Sequence, residues 1–172
     1  SPRPYLDLVL GHPVNKPRDG LLNKMRRFTP SENFALAEAM VLVVAAAPLI
    51  RFTPFRYIAR IASLPIRRPV TDPALQNALI ARVAWAVSRA AKRSKLRAVC
   101  IERGITAQIM LRRRGIDSTL YFGATPNTPT GLGAHVWVVA KGIDVCGGAV
   151  AKDYATLAAF PPPAAPADEA GA

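Results

Sequence analysis

The chain has 172 residues, of which 51% are hydrophobic, and this predicts one folded domain with a real core rather than a disordered protein. Its two cysteines are too few for a disulfide framework, so we expect a cytoplasmic protein in a reducing compartment. The net charge of +12 should attract an anionic partner, whether a nucleic acid, a membrane surface or an acidic peptide.

The first segment, residues 1–28, is broken by four prolines and is predicted to be irregular. It lacks the apolar stretch that follows the basic start of a signal peptide, so no signal peptide is expected. The most apolar stretch, residues 35–50, has 16 residues and contains Glu38 and Pro48. Because a bilayer crossing needs about 20 apolar residues, we expect a buried or dimer-facing helix here, with membrane-surface contact as the alternative.

The start of the first helix is marked by three residues. Thr29 can cap it, Pro30 suits its first turn, and Glu32 completes a capping box. The helix should run to about Ala47, where Pro48 should stop it. A short helix over residues 54–64 and a basic linker over residues 65–73 complete a helical N-terminal region, residues 29–73.

Two more helices are predicted before any strand. The dipeptide Asp72-Pro73 is a start signal, and the apolar stripe that follows it predicts a helix over residues 74–91. The next helix is predicted to run from Cys100 to about Arg113, with Gly115 as its C-cap.

Beyond Gly115 the apolar residues alternate with a period of two, which indicates β-strands. The dipeptide Lys141-Gly142 predicts a tight hairpin turn, and residues 124–133 are expected to form a flexible loop. The predicted strands cover residues 118–122, 134–140 and 143–146. A last apolar segment, residues 154–160, gives way to a tail, residues 161–172, whose alanines and prolines predict disorder.

One cysteine and one histidine carry the clearest chemical signal. Cys100 stands at a helix start, where free N–H groups and the positive end of the helix dipole favour a thiolate. His135 follows 35 residues later at the start of a strand and can act as the base. The chain has only two cysteines and two histidines, so few other pairings compete. The backbone N–H of Cys100 can supply part of an oxyanion hole.

The residues around this pair resemble a known family. Residues 99–102, residues 107–123 with their Leu-Arg-Arg-Arg-Gly run, and residues 134–138 with their His-Val-Trp-Val run are similar to the leader peptidases of lasso-peptide biosynthesis. These are transglutaminase-like cysteine proteases, the protease part of the family's B protein. The resemblance extends over roughly residues 30–160.

The resemblance implies a fold and a catalytic set. The expected fold is α+β, a papain/transglutaminase-like core over residues 74–160 in which the nucleophile helix packs on a small antiparallel sheet. A Cys-His-Asp triad is implied, with Cys100 as the nucleophile and His135 as the base. We expect neither a cofactor nor a metal.

The third member of the triad is assigned to Asp144, although the hairpin geometry opposes direct contact. If residues 141–142 form the turn, Asp144 shares a sheet face with His135 but lies about 13 Å along it, and Gly148 lies opposite the histidine. A longer turn would shift the pairing and bring the acid closer. Asp117 and a backbone carbonyl are the alternatives.

Basic residues and one tryptophan complete the expected site. Ten Lys and Arg residues but only one acidic residue lie between residues 78 and 115. They form either a solvated face or a surface on which Arg97, Arg112 and Arg113 help to dock an acidic leader peptide or a partner protein. Trp137 is expected to shield the imidazole of His135 from water, with a plain core role as the alternative.

The function that follows is that of a cysteine endopeptidase. It would remove the leader from a lasso-peptide precursor and free the core peptide's α-amine for macrolactam formation by a separate ATP-dependent cyclase. A separate leader-recognition protein of winged-helix type is also implied. The alternatives are a transglutaminase-type acyl transferase and a basic nucleic-acid-binding adaptor. We expect no nucleic-acid partner, because an adaptor explains the charge but not the cysteine–histidine context, and the chain lacks the aromatic interleaving of single-strand binders.

Overall fold

The structure, a computed structural model, describes residues 28–66, 68–93, 100–128 and 131–163. The described part consists of four helices followed by a small antiparallel sheet, so the predicted α+β fold is confirmed. The helices are α1 (Pro30–Phe52), α2 (Phe55–Ala62), α3 (Pro73–Arg93) and α4 (Cys100–Arg113). The strands are β1 (Thr119–Thr128), β2 (Gly131–Ala140), β3 (Ile143–Cys146) and β4 (Ala155–Phe160), and a 3-10 helix (Gly148–Asp153) joins β3 to β4. The predictions for residues 1–27, for Arg97 and for residues 164–172 lie outside the described residues.

The start of α1 is as predicted, but its end is not. The side chain of Thr29 accepts from the Glu32 amide, and the Glu32 carboxylate accepts from the Thr29 amide. Pro48 does not stop the helix, which continues to Phe52. Proline removes one backbone hydrogen bond from a helix and crowds the carbonyl four residues earlier, and the packing of the rest of the helix compensates for that loss.

The core lies between the helices and one face of the sheet. Helix α1 packs on α3 and α4 through small buried residues such as Ala35 and Ala39, and α4 packs on β1 and β2. Gly104 allows α4 to approach the sheet closely, because a Cβ there would lie 2.6 Å from the Cγ1 of Val136. The helical region and the sheet share one hydrophobic cluster. The division of the chain at residue 73 stays a prediction.

The sheet has the order β3-β2-β1-β4. Lys141 and Gly142 have φ values of 51° and 78° and form the predicted tight turn between β2 and β3. The prediction of a flexible loop over residues 124–133 is wrong, because β1 extends to Thr128 and β2 begins at Gly131. Strand pairing explains the extension. On one side β1 pairs with β2 as far as Thr128, and on the other side it pairs with β4 as far as Ala124.

Helix α4 is fixed against its surroundings by a buried glutamine. The amide nitrogen of Gln108 lies 2.8 to 3.0 Å from the carbonyl oxygens of Ala62, Ser118 and Phe160. These carbonyls belong to α2, to the segment before β1 and to β4. The glutamine therefore has a structural role.

One described helix, α1, is long and apolar enough to cross a membrane, with a mean hydropathy of 2.0 over its best window. Length and composition alone are weak grounds, since core helices of soluble proteins pass the same test. Here one side of the helix carries buried residues that pack on α3 and α4. In the structure, α1 is therefore a helix of this domain that packs on α3 and α4.

Candidate active site

Cys100 is the first residue of α4, as the sequence predicted. Its side chain is partly buried against the core, beside Cys146. Within the described residues its thiol has no hydrogen-bonding partner. The backbone amides of the first turn of a helix have no partner within the helix and carry the positive end of its dipole.

The second cysteine is in a different environment. Cys146 pairs with Val138 and shares its face of the sheet, the face on which α4 packs. Burial raises the pKa of the Cys146 thiol to about 11, the charge of Arg103 opposes this, and Asp144 and Cys100 add to the rise. Cys146 therefore remains a neutral thiol at pH 7, which makes it a poor nucleophile.

His135 is oriented by a backbone carbonyl. Its Nε2 lies 2.8 Å from the carbonyl oxygen of Gly147. Because a carbonyl oxygen only accepts hydrogen bonds, Nε2 carries the proton, and Nδ1 is left with the lone pair that a general base needs. A backbone carbonyl, which the sequence offered as an alternative to Asp144, therefore orients His135 in the structure.

Aromatic rings enclose the imidazole. The ring of His135 lies 6.2 Å from that of Trp137 at an interplanar angle of 17°, and 5.0 Å from that of Tyr154. Trp137 in turn stacks on Tyr121 at 5.5 Å and is only 7% exposed. The tryptophan is thus both a packed residue and a neighbour of the imidazole, so the shielding that the sequence suggested is compatible with its position.

The assignment of Asp144 as a direct partner of His135 does not fit the structure. Asp144 pairs with Val139, as the predicted turn requires, and its Oδ1 accepts from the amide of Gly148 at 3.0 Å. A register shift between Val138 and Val139 adds a residue to β3, and the chain then turns away at Gly147. Asp144 therefore holds the segment that presents the carbonyl, and the carbonyl takes the place expected for the acid.

Gly147 is the site residue that the sequence did not reveal. Its φ of 84° is in the left-handed region, and a Cβ there would lie 2.6 Å from the Val136 carbonyl oxygen and 3.2 Å from the His135 Nε2. Only glycine allows this approach. The Gly-Gly pair directly after a strand was the available signal.

The alternative acid, Asp117, is excluded by its position. It lies 3.7 Å from the Arg112 guanidinium and is mostly exposed. His135 pairs with Gly123, six residues further along the chain, which is about 20 Å in an extended strand.

The structure does not bring the thiol and the imidazole into contact. Val136 points to the side of the sheet on which α4 packs, so His135 and Trp137 point to the other side. Both candidate residues nevertheless adjoin the same short segment. Cys100 and Cys146 both pack against the core on the helix side, and His135 binds the carbonyl of the residue after Cys146, Gly147.

The basic residues divide into structural and exposed ones. Arg112 does not fit the docking role, because its guanidinium donates to the carbonyls of Leu64 and Ser118 and its side chain is only 9% exposed. Burial lowers the pKa of Arg112, and Asp117 partly offsets this. Arg113 is 65% exposed and lies 3.2 Å from Glu38, so it remains available to a partner.

Comparison with known proteins places the chain in a superfamily. A sequence model of the transglutaminase-like superfamily matches residues 39–159. No curated protein and no solved structure matches the chain significantly. The matched range includes α4, the strands β1 to β3 and all but the last residue of β4, and hence Cys100, His135, Asp144 and Gly147.

Proposed function

The chain belongs to the transglutaminase-like superfamily, and we propose that it is a cysteine endopeptidase that removes the leader peptide from a lasso-peptide precursor. The superfamily is compatible with cysteine protease or acyl-transfer chemistry. The choice of peptidase and of precursor rests on the resemblance carried by residues 99–102, 107–123 and 134–138. Release of the leader frees the amine that a separate cyclase would join to a side chain.

The observation that carries the proposal is the hydrogen bond between the His135 Nε2 and the Gly147 carbonyl. It fixes the tautomer in which Nδ1 is the base, as an acid does in a triad. Nδ1 takes the thiol proton of Cys100, and the thiolate attacks the scissile carbonyl. The imidazolium then protonates the leaving amine, and water hydrolyses the thioester, which regenerates the thiol and releases the leader's carboxylate.

The chemistry requires the imidazole to reach the thiol. Catalytic hydrogen bonds are often long or poorly aligned without substrate. We propose that the free protein populates a minor conformation in which the segment at Gly147 moves together with His135 toward Cys100, so that the hydrogen bond from Nε2 is kept, and that bound precursor selects this conformation. The short strand β3 ends at Cys146, and among the described residues no further strand lies beside His135 on this edge of the sheet.

Mass spectrometry of the precursor, incubated with its recognition protein and this chain, tests the proposal. Cys100→Ala and His135→Ala should each abolish leader release without unfolding the protein, because nucleophile and base act as a unit. Cys146→Ala is the matched control and should retain cleavage. Cleavage by folded Cys100→Ala at the parental rate would end the proposal. A product that carries an added amine in place of water would instead identify an acyl transferase.

A further inference from the structure

Helix α1 has an exposed side made only of apolar residues. From Phe34 to Phe52, both included, seven apolar residues are exposed. Arg51, at the edge of this side, is exposed as well. The seven apolar residues are Phe34, Ala37, Val41, Val44, Ala45, Pro48 and Phe52. At 100° and 1.5 Å per residue they occupy an arc of about 100° over roughly 27 Å. This set, the α1 apolar face, is larger than the scattered apolar residues that any surface carries.

The face is held outward by the packing of the opposite side. Ala35, Ala39 and Val43 are buried against the core. Glu38 pairs with two guanidinium groups at the C-terminal end of α4, that of Arg113 at 3.2 Å and that of the following residue, Arg114, at 2.5 Å. These contacts prevent the helix from rotating its apolar face into the domain.

Positive charge lies at both ends of the face. At the N-terminal end, Phe34 lines one groove together with Glu38 and three arginines, Arg82, Arg113 and Arg114, so that positive charge is in excess there. At the C-terminal end, Arg51 is exposed beside Phe52, and the exposed Arg56 follows four residues later. Glu38 is neutralised by its two arginines, and the sequence contains no Asp or Glu from residue 39 to residue 71.

We propose that the α1 apolar face binds the surface of an anionic lipid bilayer, with the helix lying in the plane of the headgroups. The apolar stripe can be buried at the boundary of headgroups and acyl chains while the rest of the domain stays in water, and anionic headgroups complement the arginines at its ends. A second copy of the chain is less suitable, since it would bring like charges together at both ends. The inference uses no residue of the catalytic set and does not rest on the proposed function.

Flotation of the full chain with phosphatidylcholine vesicles, with and without phosphatidylglycerol, tests the inference. Binding is expected only to the vesicles that contain phosphatidylglycerol, and it should weaken as salt rises above about 0.1 M. Arg51→Gln with Arg56→Gln should weaken binding roughly thirtyfold, because each arginine near such a surface contributes about fivefold. Val41→Gln with Phe52→Gln should weaken it by at least about tenfold.

Matched controls separate this surface from general stickiness and charge. Leu132→Gln with Leu157→Gln changes exposed apolar residues of the sheet, and Lys92→Gln with Arg93→Gln removes two exposed charges from the end of α3. Both pairs should leave flotation within about twofold of the parent. Failure to float, or flotation that the α1 variants do not change, would overturn the inference. So would a dimer in sedimentation analysis that Val41→Gln with Phe52→Gln dissociates, since the face would then bind a second copy.

Discussion

At the scale of single residues, Gly147 and Asp144 together fix the orientation of His135. The Gly147 carbonyl orients His135, and the Asp144 carboxylate holds the amide of the next residue, Gly148. An acid that contacts the imidazole directly sets its tautomer and stabilises its charge, whereas Asp144 acts through the backbone. The two roles predict different responses to the same substitution.

Asp144→Asn should therefore retain activity within about tenfold, because its side-chain oxygen can still accept from the Gly148 amide. Asp144→Ala should lose more, because the segment that presents the Gly147 carbonyl is released. Leader cleavage by the two variants is the measurement. A loss of about 10⁴-fold in Asp144→Asn, as in triads whose acid is made neutral, would show that the carboxylate acts on His135 directly.

Cys146 should make stability depend on pH in the alkaline range. Its pKa is raised from 9.0 to about 11 in the folded protein, mainly by burial, so the folded state keeps a proton that the unfolded chain loses. This stabilising contribution is complete below pH 9 and is lost as pH rises toward 11, at up to about 1.4 kcal/mol per pH unit. Urea denaturation across this range should show a steeper fall for the parent than for Cys146→Ala. Equal slopes would mean that Cys146 titrates as a free thiol.

Cys100 and His135 could be placed from the sequence because helix starts and strand alternation are local signals. Cys100 does begin a helix and His135 does lie in a strand. The Gly147 carbonyl could not be predicted, since it depends on a register shift between two strands. The structural role of Arg112 could not be predicted from the sequence either, because its partners Leu64 and Ser118 lie outside its own helix.

At the scale of elements, the C-terminus of α4 depends on one glycine. Gly115 has a φ of 75°, and a Cβ there would collide with the backbone carbonyl of Arg68. Its own carbonyl accepts from the Val70 amide at 3.0 Å. The linker before α3 is therefore pinned to the end of the helix that carries Cys100.

Gly115→Ala should lower the free energy of unfolding by at least about 3 kcal/mol, through backbone strain and the collision with the linker. Gly142→Ala is the matched control, because its φ is 78° but nothing lies within 4 Å of a Cβ there. That variant should lose only the strain, about 1 kcal/mol. Chemical denaturation measures both. Equal losses would show that the linker moves aside without cost.

Element starts were more predictable than element ends. The capping residues Thr29 and Glu32 lie within one turn of each other, so the start of α1 could be read locally. The end of α1 beyond Pro48 and the extension of β1 to Thr128 could not, because packing and strand pairing extend both elements.

At the scale of the whole molecule, the charge of +12 should act on the encounter with the precursor. Charge reversal of the exposed Arg113 to Glu should raise KM more than it lowers kcat, because exposed charges at the edge of a binding surface chiefly affect association. Added salt should lower kcat/KM, with screening over about 10 Å at 0.1 M.

Lys141→Glu is the control, since it reverses an exposed charge at the hairpin turn and should change KM less than Arg113→Glu does. Steady-state kinetics at several ionic strengths would measure both the change in KM and the effect of salt on kcat/KM. A kcat/KM that is insensitive to salt would mean that the basic residues are only a solvated surface.

The reactivity of the two cysteines tests the central claim most directly, since it needs no knowledge of the precursor. Iodoacetamide labelling followed by mass spectrometry gives a rate for each thiol at pH 7, in the parent, in His135→Ala and in a control that replaces the other histidine, His12→Ala. The account predicts that Cys100 reacts at least about tenfold faster than Cys146, that His135→Ala lowers the rate of Cys100 but not that of Cys146, and that His12→Ala changes neither rate. Equal and slow labelling of both cysteines in the parent would contradict it.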